Sequence, residues 1–350
     1  MARPQGTSAP PRRSAGALPG GRARSAARAD HAALHVVSAA VTAPSLHNSQ
    51  PWIFTCRDGE ISLYADATRR LGAIDPNARE LTISCGAALF NLRLAMRQLG
   101  FRPVVRVCPD PGRPGLLARV TWGAHAAATA EEQVMHRAMR ARHTYRGPFQ
   151  ATPLPATLLD ALRGHARAEG AEFYPLGDRR EQLRLADLVR EAETCQRNDP
   201  LYVTELARWT RPPHDSRRDG VPVEAGPFDP DATLLAGRDF SGWTHGRPFG
   251  GLPGEWPSRT GLMVLLNTPH DMPQDWLRAG QALQRVLLFA AGHKVAAAFH
   301  TQPLELPALR PQVRTLIASG QVPQMILRLG HSNWSLRTPR RDVREVLSCT

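Results

Sequence analysis

Apolar residues recur at helical spacing in two long segments of the chain. The first covers residues 77–99, and Gly100 follows it as the residue type that most often ends a helix. The second covers residues 276–292. Gly86, Ala87 and Ala88 give the first segment a patch of small residues where another backbone can approach closely. The pattern therefore predicts two long helices in distant parts of the chain.

Short apolar runs bounded by turn residues predict strands and further helices. Residues 52–56 and 61–64 flank Asp58-Gly59, a dipeptide typical of a tight hairpin turn. The other strands are predicted at 104–108, 116–121, 173–176, 262–266 and 322–329, and shorter helices at 30–42, 130–142, 155–167 and 179–198. Ordered structure is therefore expected from Asp30 onward, with one long interruption.

Residues 211–260 form that interruption. They contain sixteen prolines and glycines in fifty positions and little hydrophobic period. The segment also carries five aromatic residues that look exposed: Phe228, Phe240, Trp243, Phe249 and Trp256. Long loops without secondary structure of their own are often lids, whereas disordered linkers contain few aromatic residues. We predict a lid-like insert, with a disordered linker as the alternative.

The two long helices are also similar to each other in sequence. A shift of 194 residues aligns Gly86 with Gly280 and Leu89 with Leu283. The match is short and made of common residue types. A repeat of this length is typical of two fused domains rather than of a solenoid.

The chain has 350 residues and a formal net charge of +13, and the positive charge is unevenly distributed. Residues 1–30 hold six arginines against Asp30 and lack hydrophobic period, which is typical of a disordered basic tail. Lys294 is the one lysine in the sequence, and all other basic residues counted in the net charge are arginines. GC-rich codons produce such an excess of arginine over lysine. No nucleic-acid-binding module is visible. We therefore expect no nucleic-acid partner, with binding through the tail as the alternative.

Several classes of protein are excluded by what the sequence lacks. No apolar run reaches the roughly eighteen residues of a membrane-spanning helix, and residues 1–30 contain no apolar signal-peptide core. The five cysteines form no C-x-x-C pair and are odd in number: Cys56, Cys85, Cys108, Cys195 and Cys349. We therefore expect a cytoplasmic protein with no membrane association, no disulfide framework and no structural zinc site.

Known catalytic and metal-binding motifs are also absent. The sequence contains no P-loop, no dinucleotide-binding glycine motif, no hydrolase elbow and no zinc-protease motif. His31 and His35 could face one side of a helix, but no third ligand stands at a suitable spacing. We therefore predict no metal and no catalytic side chain.

A first polar cluster lies between two prolines, just before Trp52. It consists of Ser45, His47, Asn48 and Gln50. Side chains of these types often bond the backbone of their own loop. They can also bind the donor and acceptor edges of a planar heterocycle, so both interpretations stay open from residue type alone.

A second polar cluster is rich in arginine. Arg142 and Arg146 flank Thr144, and Arg340 and Arg341 stand near the end of the chain. Guanidinium groups beside a hydroxyl suit a phosphate, which they bind with charge-assisted and often bidentate hydrogen bonds. A solvated basic turn is the alternative in so arginine-rich a chain.

The order of these motifs resembles that of the nitroreductase family of flavoproteins. Residues 44–52 are similar to the family's PSxxNxQPW signature, and residues 142–149 to its RRSxRxF opening. Residues 321–331 resemble its late strand ending in LGY or IGY, and Arg340-Arg341 stand where the family has C-terminal basic residues. Over residues 31–348, the sequence most closely resembles the Acg-like subfamily of single-chain, tandem proteins.

The resemblance implies an α+β, nitroreductase-like fold of two fused halves that form an intramolecular pseudo-dimer. Nitroreductases are homodimers with FMN at the subunit interface, where each subunit supplies one part of the site. In this chain the PSxxNxQPW loop belongs to the half at 31–128, and the arginine cluster to the half at 129–350, which also carries the insert. The implied protein is a monomer with one FMN site, and a homodimer of such chains is left open.

The resemblance also implies a role for each cluster. Arg142, Thr144 and either Arg341 or Arg340 would hold the FMN phosphate, with Arg146 near the phosphate or the flavin. The contacts to the flavin ring or ribityl chain would come from Ser45, His47, Asn48 and Gln50. Nitroreductases often place a lysine near the flavin, and the position of Lys294 suggests no such role.

The implied activity is that of an FMN-dependent NAD(P)H oxidoreductase. A hydride would pass from NAD(P)H to flavin N5 and on to a small nitro, quinone or similar conjugated acceptor. No acid–base side chain would be required, because the flavin carries the chemistry. The alternative is a flavin-sequestering or stress-associated FMN-binding protein with little turnover, since the insert could cover the flavin.

Overall fold

The computed structural model describes residues 31–225, 233–240, 259–317, 320–332 and 336–349. The predicted tail and the predicted helix start at Asp30 lie outside these ranges. So do residues 226–232 and 241–258 of the predicted insert, which include Phe228, Trp243, Phe249 and Trp256. Within the described ranges, no helix combines the length and apolar character needed to cross a bilayer.

The first unit contains one short helix, one long helix and four strands. A hairpin turn with positive φ at Asp58 and Gly59 joins its first two strands, as the Asp-Gly dipeptide predicts. The elements in chain order are α1 (31–40), β1 (Trp52–Arg57), β2 (Glu60–Ala65), α2 (Arg79–Gln98), β3 (Phe101–Val107) and β4 (Leu116–His125).

The second unit follows a connecting helix and contains additional elements. The connecting helix is α3 (Ala130–Ala138), four residues shorter than predicted. The unit then runs through α4 (Ala156–Ala168), β5 (Glu172–Pro175), α5 (Arg179–Arg197), α6 (Pro200–Trp209), β6 (Thr210–Arg211), β7 (Val221–Pro222), β8 (Leu262–Thr268), α7 (Pro273–Gly292), β9 (Ala296–Phe299), α8 (Gln302–Glu305), α9 (Arg310–Arg314), β10 (Val322–Gly330) and β11 (Leu347–Cys349).

The two units share one topology. The first sheet has the antiparallel order β1-β2-β4-β3, and the second has the order β5-β8-β10-β9. In chain order, the long helix lies between the two hairpin-like halves of each sheet: α2 follows β2 and precedes β3, and α7 follows β8 and precedes β9. The additional elements α5, α6, β6 and β7 lie between β5 and β8. The fold is α+β, as expected.

The long helices α2 and α7 pack against each other where both have glycine. A Cβ atom at Gly86 would overlap the Leu277 carbonyl oxygen, and one at Gly280 would overlap the Ile83 carbonyl oxygen. Gly280 stands 194 positions after Gly86, and Leu277 stands 194 positions after Ile83. The two contacts are therefore reciprocal. The helices therefore contact each other at positions related by the 194-residue shift that the sequence repeat indicates.

The end of the chain crosses back to the first sheet. β11 pairs with β1 in parallel register, with Leu347 opposite Phe54, and becomes the fifth strand of that sheet. The backbone N–H of Phe54 also donates to the Val346 carbonyl at 2.7 Å. The pairing was not expected from the sequence, which shows only a basic segment here. It brings residues 336–346 alongside the first unit.

Candidate functional site

A cavity lies between the two units, with about 850 Å³ of empty space that includes open solvent. The first unit contributes residues 44–47 and the start of α2, and the second contributes Thr144, Arg146 and residues 298–301. The predicted insert supplies Gly237, Arg238 and Phe240. Two clusters about 100 residues apart in the sequence thus meet in one cavity, and Ser45, His47, Thr144 and Arg146 all line it.

The loop before β1 has a constrained backbone. His47, Asn48 and Gln50 all have positive φ, at 47°, 56° and 51°, where a residue other than glycine costs roughly 1–3 kcal/mol. Two hydrogen bonds hold this shape. The Ser45 hydroxyl accepts from the Gln50 backbone N–H at 2.9 Å, and the Ser84 hydroxyl on α2 accepts from the Leu46 N–H at 3.2 Å. The loop is therefore fixed against the helix beneath it.

Asn48 and Gln50 lie behind the cavity wall and bond to protein groups. The Asn48 amide donates to the Gly220 carbonyl at 2.9 Å and accepts from Arg340 Nη1 at 2.9 Å. The Gln50 amide donates to the Arg218 carbonyl at 2.8 Å and accepts from the Arg341 backbone N–H at 2.8 Å. Both side chains thus join the loop to the insert and to the C-terminal segment.

His47 presents a neutral imidazole to the cavity. Its side chain is buried, and neither ring nitrogen has a hydrogen-bond partner within the described part of the chain. Burial lowers the pKa of His47 well below its ordinary value, and the charges of Arg238 and Arg146 lower it further. The ring meets Phe240 edge-on, with 5.4 Å between centroids. Phe240 is therefore buried, and its predicted exposure is wrong.

Arg142, Arg146 and Arg340 stand close together, and none of them has an anionic partner within the described part of the chain. Arg142 is buried, and the other two are half-buried. Burial lowers the pKa of Arg142 to about 10, of Arg146 to about 10 and of Arg340 to about 9. The charge of Arg142 further lowers the pKa of the other two, so the three groups are close. Among the described residues their partners are neutral, as in the bond from Arg146 to the Ala225 carbonyl at 3.3 Å. Nε of Arg142 and Nε of Arg340 are buried with no partner in that part of the chain.

The neighbouring Arg341 differs from Arg340 in its surroundings. Its Nε lies 3.3 Å from Oε2 of Glu345 in an ion pair. Thr144 stands between Arg142 and Arg146 and forms an isolated parallel bridge with Ala297 of β9. The second sheet thus fixes the backbone that carries the two arginines.

Two further ion pairs lie at the base of the cavity, and sequence reasoning missed them. Arg79 Nη2 donates to Oε1 of Glu80 at 2.7 Å, and Arg238 pairs with Glu305. A glutamate in the first turn of a helix is common, so nothing in the sequence distinguished Glu80. Arg238 lies in the segment without hydrophobic period, where spacing gives no sign of burial.

The other ionisable residues considered from the sequence do not enter the cavity. No group of three or more His, Cys, Asp or Glu side chains in the described ranges could hold a metal ion, including around His31 and His35. Lys294 follows the end of α7, and its carbonyl lies 3.2 Å from Nδ1 of His331. It is not one of the cavity-lining residues.

Known proteins of the same length are similar to this chain. No family model matches it. A Mycobacterium tuberculosis H37Rv protein named as an NAD(P)H nitroreductase is 30% identical over 319 residues, which cover 89% of this chain and 90% of that protein. The Acg protein of the same strain, also named as an NAD(P)H nitroreductase, is 31% identical over 321 residues, covering 89% and 93%.

Solved structures of smaller proteins match part of the chain. The FMN-dependent nitroreductase NfnB of Mycobacterium smegmatis, in complex with NADPH, is 14% identical and covers 61% of this chain and 96% of its own, with a TM-score of 0.39. A Bacteroides fragilis nitroreductase with bound FMN is 11% identical and covers 59% and 93%, with a TM-score of 0.36. On the identity to its full-length relatives, the chain belongs to the nitroreductase family, in its Acg-like branch.

Proposed function

We propose that the protein is an FMN-dependent oxidoreductase that takes electrons from NAD(P)H and passes them to a small conjugated acceptor such as a nitro compound or a quinone. One observation carries this proposal: Arg146 lines the cavity, Arg142 lies close to both Arg146 and Arg340, and none of the three has a carboxylate partner among the described residues. Buried charges are normally paired. The cluster is therefore suited to an anion.

The phosphate of FMN fits this cluster. A phosphate carries up to about two negative charges near neutral pH, and guanidinium groups bind phosphate with short, charge-assisted bonds. Arg142 and Arg340 would hold it through their Nε atoms, which have no partner among the described residues, and the Thr144 hydroxyl would add one neutral bond. Arg341 already pairs with Glu345, so Arg340 is the better of the two C-terminal candidates.

The cavity wall would hold the flavin ring. His47 offers two ring nitrogens that have no partner in the part of the chain that the structure describes, and Ser45 lines the same wall. Asn48 and Gln50 would act behind them by fixing the loop through their backbone contacts. When bound, FMN would accept a hydride from NAD(P)H and transfer it to the acceptor. The residues of this chain would orient the ring and supply positive potential.

The two units would form an internal pseudo-dimer with a single flavin site. In the first unit, residues 41–51 join α1 to β1 and contain the cavity loop, whereas only residues 169–171 join α4 to β5. A Cβ atom at Gly170 would lie 2.8 Å from Cδ of Arg278. Arg278 stands 194 positions after Ser84, the α2 residue whose hydroxyl accepts from the loop at Leu46. A bulky side chain therefore stands at the position in the second unit that corresponds to the loop contact in the first. This supports one FMN site per chain.

A second candidate is an FMN-binding protein with little turnover. Gly237, Arg238 and Phe240 of the insert line the cavity, and Phe240 contacts both His47 and Arg146, whose guanidinium carbon lies 5.4 Å from the ring centroid. A wall at this position would keep nicotinamide and acceptor from the flavin. The protein would then store or protect FMN.

Anaerobic titration with NADH and NADPH separates these candidates. The protein is loaded with FMN, and loss of the oxidised flavin absorbance is followed before and after a quinone is added. Bleaching by one equivalent of NAD(P)H and recovery with the quinone are expected for an oxidoreductase. Bound FMN that neither nucleotide bleaches would favour the storage role, and a protein that binds no FMN would contradict both.

A further inference from the structure

Two ion pairs separate the main cavity from a second one. The second cavity holds about 1070 Å³ of empty space, including open solvent. Glu80 and Arg238 line the main cavity, whereas Arg79 and Glu305 line the second. Because Arg79 pairs with Glu80 and Arg238 pairs with Glu305, each ion pair reaches from one cavity to the other. The wall between them is therefore made of ionisable side chains.

The charges in this wall do not balance. The charged groups acting on Glu80 are Arg79 on its own helix, Asp75 in the preceding loop, Glu305 on α8 and Arg238 of the insert. Asp75, Glu80 and Glu305 thus share two guanidinium groups. The cluster has one carboxyl group more than it has guanidinium groups, and burial favours the protonated form of such an excess carboxyl group.

We propose that Glu80 holds this proton inside the main cavity and donates it to the electron acceptor, while the second cavity resupplies the proton from solvent. The inference rests on the proposed function, since it requires a substrate that accepts a hydride in the main cavity. Glu80 would then be a catalytic residue that the sequence did not identify.

The reaction of a quinone shows the need for such an acid. Reduction to the quinol requires a hydride, which carries two electrons and one proton, and one further proton. The quinone would take the hydride from the reduced cofactor, which is oxidised in turn, and the O–H bond of Glu80 breaks as a new O–H bond forms on the acceptor. Arg79 holds the resulting carboxylate, and a proton from solvent restores the acid through the second cavity.

The other ionisable residues lining the main cavity are less suited to this role. His47 is neutral because of its burial. His300 is occupied at both ring nitrogens, since Nε2 accepts from Arg328 at 2.8 Å and Nδ1 lies 2.9 Å from the Ala236 carbonyl. Burial, and then the Glu305 carboxyl, raise the pKa of Glu80 well above its ordinary value, against the opposing charge of Arg79. Among the described lining residues, Glu80 is the one carboxylic acid.

A comparison of two oxidants tests the proposal. The FMN-loaded protein is reduced anaerobically and mixed with a quinone, which takes up protons, or with ferricyanide, which accepts electrons without binding a proton. A general acid commonly contributes about 100-fold or more to a rate. Glu80→Gln should therefore slow reoxidation by the quinone about 100-fold and leave reoxidation by ferricyanide unchanged, and Glu80→Asp should restore part of the quinone rate.

Glu193→Gln is the matched control. Glu193 is equally buried and paired, with Arg197 Nε at 3.0 Å from its Oε1, but it does not line the cavity. Glu193→Gln should slow reoxidation by neither the quinone nor ferricyanide.

The pH dependence provides a second test. With the wild-type protein, the rate of reoxidation by the quinone should fall as pH rises through the raised pKa of Glu80, and Glu80→Gln should remove that dependence. Equal slowing of both oxidants by Glu80→Gln would overturn the proposal.

Infrared spectroscopy provides a test that does not depend on turnover. The carbonyl stretch of a protonated carboxyl group should be present at neutral pH, disappear as pH rises and be missing from Glu80→Gln. Absence of this band from the wild type would overturn the proposal. A wild type that binds no FMN would instead contradict the proposed function, and the band would still show whether Glu80 holds a proton.

Discussion

Burial distinguishes arginines that look alike in the sequence. Arg340 and Arg341 are adjacent, yet among the described residues Arg341 has a carboxylate partner, Glu345, and Arg340 has none. Arg340 is enclosed among neutral groups, including the Asn48 amide oxygen and the Thr42 carbonyl at 3.3 Å. An unpaired guanidinium in such a place costs free energy unless an anion is bound. The phosphate-binding role is therefore best assigned to Arg340, together with Arg142.

Loss of Arg142 should weaken FMN binding more than loss of Asn48. Removing one charged partner from a buried pair costs roughly 2–5 kcal/mol, whereas a lost neutral hydrogen bond costs about 1 kcal/mol. Fluorescence quenching of added FMN by Arg142→Ala and Asn48→Ala measures the difference, with Arg341→Ala as a control that should change affinity least. Equal affinities of Arg142→Ala and Asn48→Ala would contradict the assignment.

The cavity-lining residues that belong to a motif could be singled out from the sequence, and those outside a motif could not. Ser45, His47, Thr144 and Arg146 could be singled out because they stand in short, ordered patterns, and all four line the cavity. Phe240 was placed wrongly on the surface, since a segment rich in proline and glycine has no period from which burial can be inferred. Glu80 looked like an ordinary residue of a helix start, and only the tertiary structure shows what faces it.

The crossing of α2 and α7 should tolerate no side chain at its centre. Gly86→Ala places a methyl group against the Leu277 carbonyl, and overpacking of this kind costs roughly 1–3 kcal/mol. Gly164→Ala in α4 is the matched control, because a Cβ there meets no atom within 4 Å and alanine favours a helix by up to about 1 kcal/mol. Urea unfolding should show the two variants shifted in opposite directions. An unchanged midpoint for Gly86→Ala would show that the helices can separate without cost.

The insert should limit access to the flavin if it acts as a lid. Replacing the whole segment would also remove the Gly220 and Ala225 carbonyls that bond Asn48 and Arg146, so Phe240→Ala is the sharper change. It opens the wall beside His47 and should keep FMN while speeding anaerobic reduction by NAD(P)H, because access then no longer depends on a conformational step. Phe101→Ala, in the first sheet, should leave the rate unchanged. Retained FMN with an unchanged or slower rate for Phe240→Ala would count against a lid.

Elements with a local signal were predictable, and those defined by distant contacts were not. The Asp58-Gly59 hairpin and the long helices follow from turn chemistry and helical period, and their bounds agree with the structure to within a few residues. β11 depends on pairing with β1 almost 300 residues earlier, which no local pattern records. α6 was missed although Asp199 caps it and Pro200 occupies its first turn, a signal like the Asp75-Pro76 dipeptide before α2.

At the scale of the whole molecule, the site depends on the pairing of the two units. The loop at 44–50 comes from the first unit and the arginines at 142 and 146 from the second, and the two units pack against each other through α2 and α7. The return of β11 to the first sheet brings Arg340 to the same place. Each component is present once. The strand order that the two units share is therefore not matched by a second candidate site within the described residues.

We therefore expect one FMN per chain, bound without a covalent bond. The reciprocal position cannot form a second site, because residues 169–171 are too few for a loop and Arg278 packs against Gly170. Denaturing a saturated sample and measuring the released flavin against protein concentration gives the ratio, and analytical ultracentrifugation gives the number of chains in the particle. If chains associate, the ratio should stay at one per chain, since the site is complete within each of them. A ratio of two would mean that the second position is open, and a ratio of one half would mean that the site needs residues from two chains; either result would contradict the internal pseudo-dimer.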